Sequence, residues 1–157
     1  MKLIGTKLYL RPLEINDSLV SYKWRNDSDI WVYTGNKPNR LITPEIEYNW
    51  LKDVLMRKDE LRFAIVDKEK EKYIGNIQLT KMAFGSAEYH IFIGEKNYWG
   101  SGFAYEASKL MIEYVKYNMN IKVLYLNFDS NHLVAQKLYL KLGFTEYEIG
   151  KMKLILF

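Results

Sequence analysis

The sequence of 157 residues predicts a mixed α/β fold in which one central sheet of six to seven strands carries helices on both faces. Two observations predict it. Strand-like patterns follow one another in the middle of the chain, and strand-like and helix-like patterns then alternate to its end. Successive strands favour antiparallel pairs and strand–helix–strand units favour parallel ones, so the sheet should contain both. With no repeat or linker, residues 1–157 are expected to form a single domain.

The composition excludes several classes of protein. Hydrophobic residues make up 48% of the chain and charged residues 27%, as in a globular protein with a core. Cysteine is absent, which excludes disulfides, thiolate metal sites and a cysteine nucleophile. The net charge of +4 is far from that of a nucleic-acid binder but permits an anionic ligand. No apolar run suits a signal peptide or a membrane span, so we expect a cytoplasmic protein without a membrane partner.

The first third of the chain predicts a strand and two helices. Residues 7–13 alternate polar and apolar side chains, which is the period of a half-buried strand. Residues 18–25 place their apolar side chains on one helical face and lead into a turn-rich break at residues 26–29. Thr43 is a suitable N-cap for the second helix, because Pro44 then occupies its first position.

The remainder of the chain predicts strands first and then strands alternating with helices. Residues 61–67 and 73–79 are β-rich and flank the charged residues 68–72, which we interpret as a solvated hairpin turn. The other predicted strands cover residues 87–93, 123–128, 145–149 and 151–157, and the other predicted helices cover residues 102–118 and 131–142.

A glycine-containing turn stands before the helix predicted at residues 102–118. Gly100 and Gly102 allow the backbone to approach a ligand closely, and the unpaired N–H groups of a first helical turn attract a pyrophosphate. A plain strand-to-helix turn is the alternative. A dinucleotide motif is disfavoured because Tyr105 stands where its third glycine belongs, and no Gly-Lys-Ser/Thr follows to complete a Walker motif.

Two motifs resemble those of the GNAT acetyltransferase superfamily. The first family signature is Q/R-x-x-G-x-G/A at a helix start, which Gly100 and Gly102 match while Asn97 replaces the Gln or Arg. The second is N-x-x-x-A-x-x-L-Y-x-K-L-G-F, which the residues from Asn131 to Phe144 match. The resemblance covers nearly the whole chain. It implies a GNAT-like fold with a splayed pair of parallel strands, acetyl-CoA as the acetyl donor and a homodimer.

The resemblance also implies which residues bind acetyl-CoA. Backbone N–H groups at the end of the strand at residues 87–93 would meet the oxyanion, and those of the glycine turn would bind the pyrophosphate. Asn131 would cap its helix, contact the pantetheine arm, or do both. The expected donor-binding residues are Phe92, Ile93, Gly94, Asn97, Trp99, Gly100, Ser101, Gly102, Phe103, Ala104 and Asn131.

Acetyl transfer to an amine requires a proton acceptor for the amine and a proton donor for the departing thiolate. By resemblance, Tyr139 is the acid; a core aromatic side chain is the alternative. Glu88 is the expected base because related enzymes carry an acidic residue on this strand. His90 or a water molecule could accept the proton instead. Glu88 could also be only an exposed charge at the edge of the sheet, without a catalytic role. Without cysteine, the transfer is expected to be direct, and two isolated histidines predict no metal site.

The acceptor is expected to meet the first two helices. Trp24, Arg25 and Tyr33 resemble the amino-terminal part of acetyltransferases for nucleotide-linked amino sugars, where Arg25 would bind phosphate and an aromatic ring would stack. Packing of Trp24 onto the sheet is the alternative. We therefore expect a small-molecule amine acceptor, first a nucleotide-linked amino sugar and second a protein N-terminus or a polyamine. A non-catalytic sensor or scaffold that binds acyl-CoA is the alternative of another class.

Overall fold

One open sheet of eight strands forms the centre of the protein in the computed structural model, which describes residues 1–157 except the side chain of Tyr33. The sequence predicted six to seven strands. The added strand is the first, which contains only two residues and is therefore too short to show an alternating pattern. The strands are β1 (Leu3–Ile4), β2 (Leu8–Pro12), β3 (Leu61–Asp67), β4 (Lys72–Ala83), β5 (Ser86–Ile93), β6 (Val123–Asn127), β7 (Thr145–Glu148) and β8 (Lys151–Ile155).

Five α-helices pack around this sheet. Three of them begin at or within one residue of the predicted position, and Thr43 caps one as expected, since its Oγ1 accepts a hydrogen bond of 3.2 Å from the Ile46 amide. Short 3-10 turns cover Ile15–Asp17 and Lys96–Tyr98. The helices are α1 (Ser18–Arg25), α2 (Ser28–Thr34), α3 (Pro44–Val54), α4 (Phe103–Asn118) and α5 (Leu133–Lys141).

The two helices that differ from prediction do so because of aspartate side chains. The polar residues expected to break the chain at 26–29 instead start α2, since the Asp27 carboxylate accepts a hydrogen bond from the Asp29 amide. At α5, the Asp129 side chain accepts from the Asn131 amide and its carbonyl accepts from the His132 amide. This turn delays the helix to Leu133, so the expectation that Asn131 caps it is wrong.

The strand order is β1-β2-β3-β4-β5-β6-β8-β7, and all neighbours are antiparallel except β5 and β6. That parallel pair is short. It joins Ser86, Ala87 and Glu88 to residues 123–125, and the last matched positions are Glu88 and Tyr125. Beyond them β5 runs on to Ile93 and pairs only with β4. The two parallel strands therefore diverge, as the resemblance implied, and leave a gap between residues 89–93 and the end of β6.

Apolar side chains bury both faces of the sheet. Phe63 belongs to the larger core, which α4 and α5 cover, whereas its neighbour Ala64 belongs to a smaller core under α1 and α3. The helices thus lie on both faces, as predicted. In the part of the chain that the structure describes, no helix is both long and apolar enough to cross a membrane. The members of the smaller core are Leu13, Trp24, Leu51, Val54, Ala64 and Tyr73.

Trp24 fixes α1 to the end of β5. Its side chain is only 3% exposed, and its Nε1 donates a hydrogen bond of 2.8 Å to Glu95. Its indole ring lies directly on Gly94, where a Cβ atom would come within 2.0 Å of the ring. Gly94 is therefore required by this close contact. Trp24 therefore has the packing role, and its burial gives no support to the expected contact with the acceptor.

We expect Gly94→Ala to lower the free energy of unfolding by about 2 kcal/mol or more, because the new methyl group overpacks the Trp24 contact. Chemical denaturation monitored by tryptophan fluorescence measures this value. Gly35→Ala is the matched control: Gly35 has a φ of 73° and open space around its Cβ position, so it carries only backbone strain of about 1 kcal/mol. Equal losses in the two variants would contradict the contact.

Candidate active site

The gap between β5 and β6 is lined on the α5 side by Tyr139. The Tyr139 ring packs edge-on against Tyr89 of β5 with ring centroids 6.3 Å apart, and against Phe128, which follows β6, at 6.2 Å. Phe144 completes the cluster at 6.0 Å from Tyr139. Because Tyr89 lies on one of the diverging strands and Phe128 directly follows the other, Tyr139 contacts both walls of the gap.

The Tyr139 hydroxyl is free to act on a ligand. The side chain is buried, yet within the described residues its hydroxyl makes no hydrogen bond. By contrast, the hydroxyl of the neighbouring Tyr89 is hydrogen-bonded to Ser108. Burial raises the pKa of Tyr139 to about 12, so the hydroxyl keeps its proton at neutral pH. Tyr139 is thus an unpartnered proton donor at the gap.

The β5 backbone also presents donors to the gap. Gly94 directs its amide to β4, where it donates a hydrogen bond of 2.7 Å to the Ile74 carbonyl. Alternate residues of a strand direct their amides to opposite sides, so Phe92 also pairs with β4, whereas Ile91 and Ile93 direct their amides into the gap. The amides of Phe92 and Gly94 are therefore not available to an oxyanion, whereas that of Ile93 is; the donor-binding role of these three residues stays a prediction.

The glycine turn has the properties of an anion site. Gly100 and Gly102 adopt left-handed conformations with φ of 71° and 86°, which other residues rarely adopt. The first helical hydrogen bond runs from the Glu106 amide to the Gly102 carbonyl. Among the described residues, no amide of positions 100–105 donates a hydrogen bond, so Ser101, Phe103 and Ala104 lie in a row of free donors at the positive end of α4. Such a row of donors matches the anion-binding turn that the resemblance implies.

Of the other residues expected to bind the donor, Trp99 makes a side-chain hydrogen bond to the protein, whereas Asn97 and Asn131 have exposed side chains. Trp99 donates a hydrogen bond of 2.9 Å from its indole to the Ile93 carbonyl and so ties the glycine turn to β5. The Lys7 ammonium, which the sequence did not single out, donates a hydrogen bond of 2.9 Å to the Ser101 carbonyl. Asn97 and Asn131 are exposed, and their side chains remain available to a ligand.

The expected phosphate ligand Arg25 is already bound to protein groups. Its guanidinium lies 2.8 Å from the Glu47 carboxylate, which is buried and also accepts a hydrogen bond from Ser21. Arg25 also stacks on Trp50, with its Cζ atom 5.3 Å from the centroid of the indole ring. Arg25 therefore joins α1 to α3, and this arrangement gives no support to its expected role as a phosphate ligand. The side chain of Tyr33, the remaining expected acceptor contact, lies outside the described residues.

Glu88 and His90 lie on the face of β5 opposite to Tyr89, as the strand period predicted. The two Glu88 oxygens are both engaged: Oε1 is 3.1 Å from the His90 Nε2, and Oε2 is 3.2 Å from the Lys81 ammonium. Thr80 adds its hydroxyl at 3.1 Å from the same His90 nitrogen. The sequence missed Thr80 and Lys81, because only the pairing of β4 with β5 places them here.

Burial lowers the pKa of His90, while the nearby Glu88 carboxylate acts in the opposite direction. Three further charged groups contribute: Arg62 and Lys81 lower this pKa, and Glu60 raises it. Desolvation is the largest of these effects, so the imidazole is neutral at neutral pH. A neutral histidine can accept a proton.

Residues 7–145 match the family model described as "Acetyltransferase (GNAT) domain". The match covers most of the chain and includes both the diverging strands and the glycine turn. The chain therefore belongs to the GNAT acetyltransferase family, whose members use acetyl-CoA as the acetyl donor. It is an N-acetyltransferase.

Named relatives agree with this classification. The chain is 27% identical to the uncharacterized N-acetyltransferase p20 of Bacillus licheniformis, with 95% of this chain and 88% of the relative covered. It is 30% identical to the spermidine N(1)-acetyltransferase of Escherichia coli, with 87% and 72% covered. A spermidine N-acetyltransferase from Vibrio cholerae, solved with CoA and spermine, superposes with a TM-score of 0.86 at 23% identity, with 97% of each chain covered.

We expect Gly102→Ala to weaken acetyl-CoA binding roughly tenfold, because a side chain in the left-handed region costs about 1–2 kcal/mol and displaces the free amides. Isothermal titration calorimetry measures the dissociation constant. Gly35→Ala carries a similar backbone strain outside the turn and is expected to leave that constant unchanged. A Gly102→Ala variant with wild-type affinity would show that the turn does not bind the pyrophosphate.

Proposed function

We propose that the protein transfers the acetyl group of acetyl-CoA directly to a primary amine of a polyamine. One observation carries the proposal: the ring of Tyr139, whose hydroxyl is unpartnered, packs against both walls of the gap, while Glu88 and His90 occupy the other face of β5. A proton donor and a proton-accepting group thus flank the place where the strands diverge. That is the arrangement acyl transfer to an amine requires.

The donor-binding part of the proposal assigns three groups of residues to acetyl-CoA. The free amides at positions 100–105 would bind its pyrophosphate, and the exposed Asn97 and Asn131 would contact its polar arm. The amides of Ile91 and Ile93 would pair with its amide groups or stabilise the oxyanion. Acetyl-CoA supplies a thioester carbonyl that an amine can attack.

The transfer step involves two proton movements. The amine nitrogen bonds to the acetyl carbon and gives up one proton to the face of β5 that carries Glu88 and His90. The bond from carbon to sulfur breaks with its electron pair on sulfur, and Tyr139 holds the proton that the sulfur takes up. Since the pKa of Tyr139 is raised to about 12, this proton is present throughout the physiological range.

A polyamine replaces the nucleotide-linked amino sugar as the favoured acceptor for two reasons. The residues expected to recognise the nucleotide no longer support it, since Trp24 is buried and Arg25 is paired with Glu47. Support for a polyamine comes from the spermidine acetyltransferases among the similar proteins. The homodimer, the single domain and the cytoplasmic location stay predictions.

Release of free thiol from acetyl-CoA in a panel of amines tests the acceptor. We expect spermidine and spermine to be the best acceptors by kcat/KM, ahead of a UDP-linked amino sugar and of a peptide with a free N-terminal alanine. A preference for the sugar or the peptide would refute the polyamine assignment. Binding of acetyl-CoA without thiol release from any amine would instead favour the sensor alternative.

We expect Tyr139→Phe to lower kcat about 100-fold with little change in KM, because the thiolate loses its proton donor while the aromatic packing is kept. Steady-state kinetics with spermidine at pH 7 to 9 measures both constants. Tyr117→Phe removes an exposed hydroxyl far from the gap and serves as the control. An unchanged kcat in Tyr139→Phe would remove the acid from the mechanism.

A further inference from the structure

The contacts among Glu88, His90 and Thr80 indicate catalytic roles for Glu88 and His90 that differ from those predicted from the sequence. We propose, on the basis of the proposed function, that His90 is the catalytic base and that Glu88 is its positioning residue. The amine would transfer its proton to Nδ1 of His90. The reasoning rests on the contacts of the imidazole, its place on β5 and the engagement of both Glu88 oxygens.

The neighbours of Nε2 determine which imidazole nitrogen is basic. Nε2 lies 3.1 Å from the Glu88 carboxylate and 3.1 Å from the Thr80 hydroxyl. A carboxylate can only accept hydrogen bonds, so its position favours the tautomer of neutral His90 that carries the ring proton on Nε2, and this is the tautomer that the proposal requires. Nδ1 then holds the lone pair. Within the described residues, Nδ1 has no hydrogen-bond partner, which leaves it free for an amine.

Glu88 itself is a poorer proton acceptor than the sequence suggested. One of its oxygens faces the His90 Nε2, and the other faces the Lys81 ammonium at 3.2 Å. A proton arriving at either oxygen would compete with one of these contacts. The same contacts suit a positioning role, because a carboxylate next to an imidazole fixes its tautomer and stabilises the imidazolium that forms.

The position of His90 on β5 matches the role of a base. It lies two residues beyond Glu88, the last residue of β5 that pairs with β6, and its side chain is 38% exposed. Its face of the strand is opposite to that of Tyr89, against which Tyr139 packs. The base and the acid would therefore reach the gap from opposite faces of the sheet. This matches the reaction, because the amine, which needs the base, and the thiolate, which needs the acid, are different substituents of the reacting carbon.

The charged groups around His90 define its expected pH behaviour. Glu88 and Glu60 raise its pKa, whereas Arg62 and Lys81 lower it. Burial lowers the pKa further, so His90 is neutral and able to accept a proton over most of the range in which enzymes are assayed. Protonation of Nδ1 at acid pH would abolish the lone pair. The kcat of the wild type should therefore fall at the acid end of its pH profile.

The test compares the pH dependence of kcat in the wild type, His90→Gln and Glu88→Gln with acetyl-CoA and spermidine. We expect His90→Gln to lose about 100-fold in kcat at pH 7.5 and to lack the acid limb of the wild type. Glu88→Gln should lose less and should shift the acid limb to lower pH, because removal of the carboxylate charge lowers the pKa of His90. A merely structural role for Glu88 would not shift that limb.

Controls separate this inference from the proposed function. His132→Gln removes the other histidine and should keep the acid limb in place. Calorimetry with acetyl-CoA and thermal melting show whether each variant is folded and binds the donor. If the wild type acetylates spermidine and His90→Gln keeps its kcat and its acid limb, His90 is not the base, whereas the proposed function stands. If the wild type releases no thiol with any amine, the proposed function itself fails.

Discussion

The early end of the pairing between β5 and β6 is the constraint on which the rest of the site depends. After Glu88 and Tyr125 the two strands diverge, and the amides of Ile91 and Ile93 have no strand to bind. Unpaired backbone groups inside a protein are costly, so a gap of this kind calls for a ligand that supplies hydrogen bonds in place of the missing strand. A thioester donor with amide groups in its arm meets that requirement. Tyr139 lies across the same gap, which is why we propose it as the proton donor.

Side-chain contacts hold the two halves of the site in a fixed relation. Trp24 of α1 packs on Gly94 and binds Glu95, and Lys96 lies 2.9 Å from Asp27 and 2.8 Å from Asp29. These residues connect the start of α2 to the segment that leads from β5 into the glycine turn. The ion pairs are exposed and each adds little to stability, so the buried indole carries most of the connection. Movement of α1 or α2 would thus change the position of the segment that leads into the glycine turn.

The sequence specified the local features of the site better than the contacts across the sheet. Alternation along β5 correctly placed Glu88 and His90 on one face, because this period follows from strand geometry alone. It could not place Thr80 beside them, since that depends on the register of β4 and on an irregularity after Thr80. The close contact of Trp24 with Gly94 was equally hidden, because the two residues are distant in the chain.

The central claim is that the gap between β5 and β6, together with the glycine turn, binds acetyl-CoA. Amide hydrogen exchange with and without acetyl-CoA tests it residue by residue, because a bound donor slows the exchange of the amides it engages. The account predicts that exchange slows at residues 91 and 93 and at residues 100–105, with β7 and β8 unchanged. Slowing confined to other parts of the chain, at a concentration at which acetyl-CoA is bound, would contradict it.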